Sequence, residues 1–186
     1  MKRTHTLTAL VENKPGVLNR VVSLFRRRGF NIDSLTVGRT HTPEISRMTI
    51  VMEGDDLEAQ KVEKNLYKLV NVIHVEQLTE KQTVMRDLAL IKVSVDGARR
   101  HEVTQLCDIF RAKIVDVSPD SLIVEITGTE DKIESFTEML RPIGIVEMVR
   151  AGVIAMGRGG EVLTANGYQA RLQSLASAGK NLKSVV

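Results

Sequence analysis

The sequence predicts an α+β protein built from two ferredoxin-like βαββαβ units in tandem. Two observations carry that prediction. Segments with strand-type and helix-type hydrophobic spacing follow one another in the order β-α-β-β-α-β. That order occurs twice, the second copy beginning about 80 residues after the first, a spacing that suits small domains. The polar stretch Thr79–Val84 between the copies reads as a linker. A chain of 186 residues with 42% hydrophobic side chains can fill such cores. Each unit is expected to be a sheet with helices on one face and with edges that need pairing or cover, which favours oligomers.

Thr4–Glu12 alternates in part and is rich in Thr, Leu and Val, so it reads as a strand. Asn13-Lys14-Pro15-Gly16 then opens a helix, with Asn13 as its cap and Pro15 in its first turn. Val17, Leu18, Val21, Val22, Leu24 and Phe25 recur at helical spacing. Arg26, Arg27 and Arg28 complement the dipole in the last turn, and Gly29 stops the helix. Asn31–Arg39 and Glu44–Glu53 read as strands joined by the His41-Thr42-Pro43 turn. Gly54-Asp55-Asp56 caps a second helix with Val62, Leu66 and Leu69 on one face, and Val72–Leu78 is the closing strand.

The second copy repeats this order. Leu88–Val95 is a strand, and Arg99–Phe110 a helix whose Val103, Leu106, Cys107 and Phe110 share a stripe. Ile114–Val117 and Leu122–Thr127 are strands about the Ser118-Pro119-Asp120 turn. Glu130–Leu140 is a helix capped by Thr129, and Ile145–Arg150 is the closing strand. From Ala151 the pattern fades into glycine-rich punctuation, and Tyr168–Leu182 holds only weak helical spacing at Leu172 and Leu175. The expected division is residues 5–79, residues 80–160 and a tail, 161–186.

Composition narrows the function classes. The balance of 26 basic against 23 acidic residues gives +3, too shallow to call for nucleic acid. The single cysteine, Cys107, allows no internal disulfide and fits a reducing compartment. The start MKRTHTLTALVENK has no apolar h-region, and no run approaches the ~18 apolar residues of a span, so a cytoplasmic protein without membrane contact is expected.

No constellation for catalysis or metal binding is legible. His5, His41, His74 and His101 are scattered and read as surface or turn residues. Cys107 lies on the apolar stripe of its helix, where it reads as core rather than nucleophile. MGRGGE at 156–161 lacks the glycine spacing and strand–loop–helix frame of a phosphate loop. One RNA-binding class shares the βαββαβ order but stacks bases on aromatic rings of its central strands; those strands here carry none.

The connection at Asn13–Leu18 is more informative. Pro15 contributes no N–H, while Gly16, Val17 and Leu18 open the helix with N–H groups that can seat a carboxylate. Gly16 has no Cβ, so a ligand can approach its backbone closely. Asn13 and Asn31 carry amides that both donate and accept. The same residues read equally well as a cap and a turn.

LTALVENKPGVLNRVVSLFRRRGFNIDSLTVG (7–38), followed by SRMTIV (46–51), resembles the small regulatory subunit family of acetohydroxyacid synthase, also called acetolactate synthase. N-x-P-G-V-L, R-x-G-F-N-I-x-S-L and S-R-M-T-I occur in the family's order, and the likeness continues through DIFRAKIVDVSPDSLIVEITG (108–128) to about Gly160. The resemblance implies that residues 5–79 are an ACT domain, an amino-acid-sensing fold, and that this chain is not catalytic. It implies a large catalytic partner holding thiamine diphosphate, Mg²⁺ and FAD, which makes acetolactate from pyruvate in branched-chain amino-acid biosynthesis; this chain itself would hold no cofactor. The small subunit would activate that partner and confer feedback inhibition by valine or another branched-chain amino acid. It also implies a homodimer through ACT domains, with effector contacts from Asn13, Lys14, Pro15, Gly16, Val17 and Leu18 and from Asn31 and Ile32 of the facing chain. The alternatives are a free-standing amino-acid sensor for another enzyme and an RNA-binding module.

Overall fold

The first unit runs β1 (Arg3–Glu12), α1 (Val17–Arg28), β2 (Ser34–Arg39), β3 (Ile45–Gly54), α2 (Asp56–Leu66) and β4 (Val72–Gln77). The second runs β5 (Thr83–Ser94), α3 (Gly97–Phe110), β6 (Lys113–Val117), β7 (Ser121–Gly128), α4 (Glu130–Leu140) and β8 (Ile145–Arg150), followed by β9 (Ile154–Gly157). The computed structural model describes residues 2–160 and 162–163. The weak helical spacing at Leu172 and Leu175 lies outside the described residues. Strand orders are β2-β3-β1-β4 and β6-β7-β5-β8, with every pairing antiparallel. The α+β class and the duplicated βαββαβ order are therefore as the sequence predicts.

Each sheet packs its helices on one face. In the first, Leu7, Ala9 and Val11 of β1 meet Val17, Val21, Leu24 and Phe25 of α1 and Val62 and Leu66 of α2. In the second, Ala89, Ile91 and Val93 of β5 meet Val103 and Cys107 of α3 and Ile133, Phe136 and Leu140 of α4. Buried positions at three- and four-residue steps are what make these segments helices rather than strands. Local chemistry sets their ends. Asp55 accepts from the Glu58 N–H at 2.7 Å while Glu58 accepts from the Asp55 N–H at 2.9 Å, a capping box that starts α2. Asp96 accepts from the Arg99 N–H at 2.9 Å and starts α3 at Gly97, two residues before the predicted start.

The duplication reaches into detail. Pairing of β1 with β4 slips between Leu10 and Val11, and pairing of β5 with β8 slips between Lys92 and Val93. These bulges occupy the same place in each unit. With that alignment His5 corresponds to Asp87, and both are buried polar residues. His5 is a correction, since the sequence reads as placing it at the surface. Its Nε2 lies 3.2 Å from the Gly54 carbonyl and its Nδ1 3.1 Å from Gln77 Nε2. Asp87 accepts from Arg150 Nε at 2.6 Å.

The largest departure from the sequence reading is at the junction. Thr83 and Val84, read as linker, begin β5, a strand of 12 residues. Its first four residues pair with β9, from Thr83 opposite Gly157 to Arg86 opposite Ile154. The glycine-rich text after Ala151 thus contains a strand. This two-stranded ribbon lies on the face of the first sheet that its helices leave open. Val153 donates its N–H to Ser34 Oγ at 3.1 Å, its carbonyl accepts from Thr36 Oγ1, and Arg47 Nη2 donates to the Ala155 carbonyl at 2.6 Å. Burial under the ribbon pulls the Arg47 pKa below its ordinary value. Gly152 (φ +88°) permits the approach, because a Cβ there would sit 2.8 Å from Ser34 Oγ.

Candidate effector site

The loop between β1 and α1 is fastened to the β2–β3 turn. Asn13 donates its backbone N–H to the Glu44 carbonyl at 2.7 Å and its side-chain Nδ2 to the Pro43 carbonyl at 2.9 Å. Asn13 is therefore not the cap of α1, and Pro15 lies in the turn before the helix rather than in its first turn. Gly16 is the cap, with φ 81° and ψ −8°, a left-handed conformation that favours glycine. An added Cβ would meet nothing within 4 Å, so the space over Gly16 is open.

The helix then offers donors, though not the three read from the sequence. The Val17 N–H is directed to the Lys14 carbonyl at 3.4 Å. The N–H groups of Gly16, Leu18 and Asn19 meet no acceptor among the described residues. The vacant donors and the dipole together make an anion-favouring end. Val17 is buried in the core and Ile32 is packed against it. Leu18, 44% exposed, is the apolar side chain that the loop presents outward.

Glu12 and Arg20 border the loop and were missed in the sequence. The buried carboxylate of Glu12 accepts from Asn71 Nδ2 at 2.6 Å and lies 3.1 Å from Lys14 Nζ. Arg20 Nη1 donates to Asn71 Oδ1 at 2.9 Å. The charged text at Glu12-Asn13-Lys14 and Arg20 is visible, but its link through Asn71 is a tertiary contact. Asn31 and Ile32 lie past the other end of α1, in the connection before β2, which starts at Ser34 rather than Asn31. Asn31 Nδ2 donates to Asp33 Oδ1 at 2.7 Å. Since α1 has 12 residues, its ends are about 18 Å apart at 1.5 Å per residue. One chain therefore does not bring Asn31 and Ile32 to the loop.

Elsewhere, burial pushes the Cys107 thiol up to about 11, with the Asp108 charge adding to the shift, so it stays protonated near neutrality.

Two family profiles match the chain. One, described as "AHAS small subunit-like ACT domain", matches residues 7–74, and one described as "Small subunit of acetolactate synthase" matches residues 86–159. A protein of Archaeoglobus fulgidus named "Probable acetolactate synthase small subunit" is 55% identical over 155 residues, covering 83% of this chain and 97% of its own. The chain belongs to the acetolactate synthase small-subunit family. The Mycobacterium bovis acetolactate synthase small subunit is 48% identical over 157 residues, covering 84% of this chain and 94% of its own. The crystal structure of the Thermotoga maritima acetolactate synthase small subunit superimposes with a TM-score of 0.80 at 45% identity, over 86% of this chain and 99% of that one. Membership makes this chain a regulatory subunit of acetolactate synthase. Its ACT match contains the β1–α1 loop, Asn31 and Ile32; the other match contains β9, so the ribbon lies within family text.

Proposed function

We propose that this small subunit binds valine or another branched-chain amino acid at the β1–α1 loop and passes that signal to the catalytic large subunit, which it otherwise activates. The observation that carries the reading is the left-handed Gly16 cap, with open space above it and unpaired N–H groups at Leu18 and Asn19. A ligand carboxylate fits those donors, and the exposed Leu18 offers aliphatic contact. The separation of the loop from Asn31 and Ile32 supports a homodimer through ACT domains, in which the facing chain supplies those two residues. Asn13, Lys14, Pro15, Gly16, Val17 and Leu18 complete the set, with Val17 acting through its backbone. The thiamine diphosphate, Mg²⁺ and FAD chemistry that makes acetolactate from pyruvate belongs to the partner, in the cytoplasm, and this chain holds none of those groups.

Replacement of Gly16 separates charge from shape. Asn and Asp tolerate a left-handed backbone better than most residues and are nearly isosteric. Gly16→Asp adds a negative charge where the ligand carboxylate sits, while Gly16→Asn adds none. In calorimetric titration with valine, Gly16→Asp should bind about a hundredfold more weakly than the native chain, with Gly16→Asn between them. Equal affinity for all three proteins places the effector elsewhere. In parallel, the purified chain alone should turn over no pyruvate, and adding it to its large subunit should raise acetolactate formation.

A further inference from the structure

One turn of the fold occurs in both units and is built differently in each. The Glu12 N–H donates to the Asn71 carbonyl at 2.9 Å, and the Ser94 N–H donates to the Gly144 carbonyl at 3.0 Å. Val11 pairs with Val72 and Val93 with Ile145, so Asn71 matches Gly144 and Glu12 matches Ser94. In the second unit the backbone bond alone makes the turn, since Gly144 has no side chain to add. The first unit adds a clamp. Asn71 Nδ2 donates to the buried Glu12 carboxylate at 2.6 Å, and Asn71 Oδ1 accepts from Arg20 Nη1 at 2.9 Å. The helix starts differ in the same sense. Asp96 accepts from the Arg99 N–H at the start of α3, whereas Gly16 leaves the start of α1 uncapped by any side chain.

Glu12 precedes the β1–α1 loop and Arg20 follows it, so one side-chain amide fastens both of its stems. Between them, residues 14–19 make no hydrogen bond to anything outside 12–20, helical bonds apart, among the described residues. We propose that Asn71 is a positioning residue for the effector. It holds Glu12 and Arg20 in register and so keeps the N–H groups of Gly16, Leu18 and Asn19 where a ligand carboxylate meets them. It acts through the loop rather than by contact with the ligand, and its gain is preorganisation. The inference rests on the effector's binding at the β1–α1 loop and adds what keeps that loop in its binding shape.

The test is calorimetric titration of the full chain with valine, on variants that circular dichroism shows to be folded. Asn71→Asp keeps an acceptor for Arg20 but sets a second carboxylate against Glu12, and valine should bind about tenfold more weakly. The exchange Glu12→Gln/Asn71→Asp returns one amide and one carboxylate to the pair, with donor and acceptor reversed. It should restore affinity to within about threefold of native. A residue needed only for stability would move the urea midpoint in Asn71→Asp and leave the affinity of the folded chain alone. Arg20→Ala, at an exposed position, breaks the clamp from its other side and should weaken valine about threefold, whether or not Asn71→Asp folds. Native affinity in both Asn71→Asp and Arg20→Ala overturns the inference, and so does a loss that the exchange leaves in place. Gly16→Asp separates this inference from the reading beneath it. If that variant also binds valine as the native chain does, the loop is not the effector site and both fail. If it alone binds weakly, the loop is the site and Asn71 does not position it.

Discussion

The central strands of the two units, β1 and β5, occupy equivalent places yet are buried differently. In β1 every residue from His5 to Glu12 is buried. In β5 buried and half-buried residues alternate from Asp87 to Val93. Helices cover one face in both; among the described residues only the first sheet has a second cover, the ribbon. The covered face carries Thr6, Thr8, Thr36 and Thr49 beside Leu10 and Val51, whereas the uncovered face of the second sheet carries Leu88, Leu90 and Ile123 beside Lys92 and Glu125. A hydroxyl-bearing face lies inside the molecule, while Leu88 and Leu90 on the second sheet's open face stay half-exposed. Alternation along a strand reports that a sheet has two kinds of face; it does not report which is covered. The ribbon can lie on a polar face because Ser34, Thr36 and Arg47 hydrogen-bond to its backbone.

If both units depend on their helix-facing cores alike, Phe25→Ala and Phe136→Ala should each cost about 3–5 kcal/mol in urea unfolding. A much smaller cost for one would mean that its unit leans on something other than that core. The covers should matter next. Val153 is 8% exposed beneath the ribbon and Val149 is 57% exposed on the second sheet's open face. Val153→Asp should therefore cost about 2–3 kcal/mol. Val149→Asp should stay within about 0.5 kcal/mol. Equal costs would break the distinction between covered and uncovered faces.

Thr8 sharpens it further. Its Oγ1 is the only buried side-chain N or O atom without a hydrogen-bond partner among the described residues. Thr8→Val keeps the shape and removes the stranded hydroxyl, so it should stabilise the chain by about 1 kcal/mol. Leu90→Thr, at the equivalent place in β5, should cost less than about 1 kcal/mol because one face of that strand is already wet. A destabilised Thr8→Val would mean that the hydroxyl has a partner in solution.

The smallest effects should come from exposed ion pairs, one group in each unit. Hydrogen bonds from Arg3 hold the Asp56 carboxyl below its ordinary range, and a hydrogen bond from Arg141 does the same for Glu138. A lowered folded-state pKa contributes stability above the unfolded values, about 3.9 for Asp and 4.3 for Glu, and loses it as pH falls through the folded ones. Acid titration of Arg3→Gln and Arg141→Gln should therefore part from native only near and above that window. The difference should vanish in about 1 M salt. Differences that persist in salt would point to structural roles for these arginines.

Local signals in the sequence carried far. Helix faces, the Asp55 cap, the Gly29 stop and the duplicated order depend on neighbours a few residues apart. Elements that exist through distant partners were not legible. Ile154–Gly157 becomes a strand because Thr83–Arg86 lies beside it, and both segments look like loop when read alone. The burial of His5 depends on Gly54 and Gln77. At the site, the N-x-P-G-V-L text located the loop, but Asn13 was misassigned because its amide is taken by Pro43, across the β2–β3 turn. The left-handed cap at Gly16 then delays the helix by one turn of chain.

The ribbon has a consequence for how the chain is made. Synthesis must continue past residue 77, the end of β4, to residue 157, another 80 residues, before the last residue of β9 exists to lie on the first sheet. At 5–20 residues per second that interval is about 4–16 s. For a lag of that length after leaving the ribosome, the first unit has its outer face uncovered by the ribbon. The hydroxyls of Thr6, Thr8, Thr36 and Thr49 keep part of that face hydrated while it waits, and Ser34 and Thr36 then exchange their water for the backbone of Val153. The hydroxyls that look misplaced in the finished molecule suit the unfinished one.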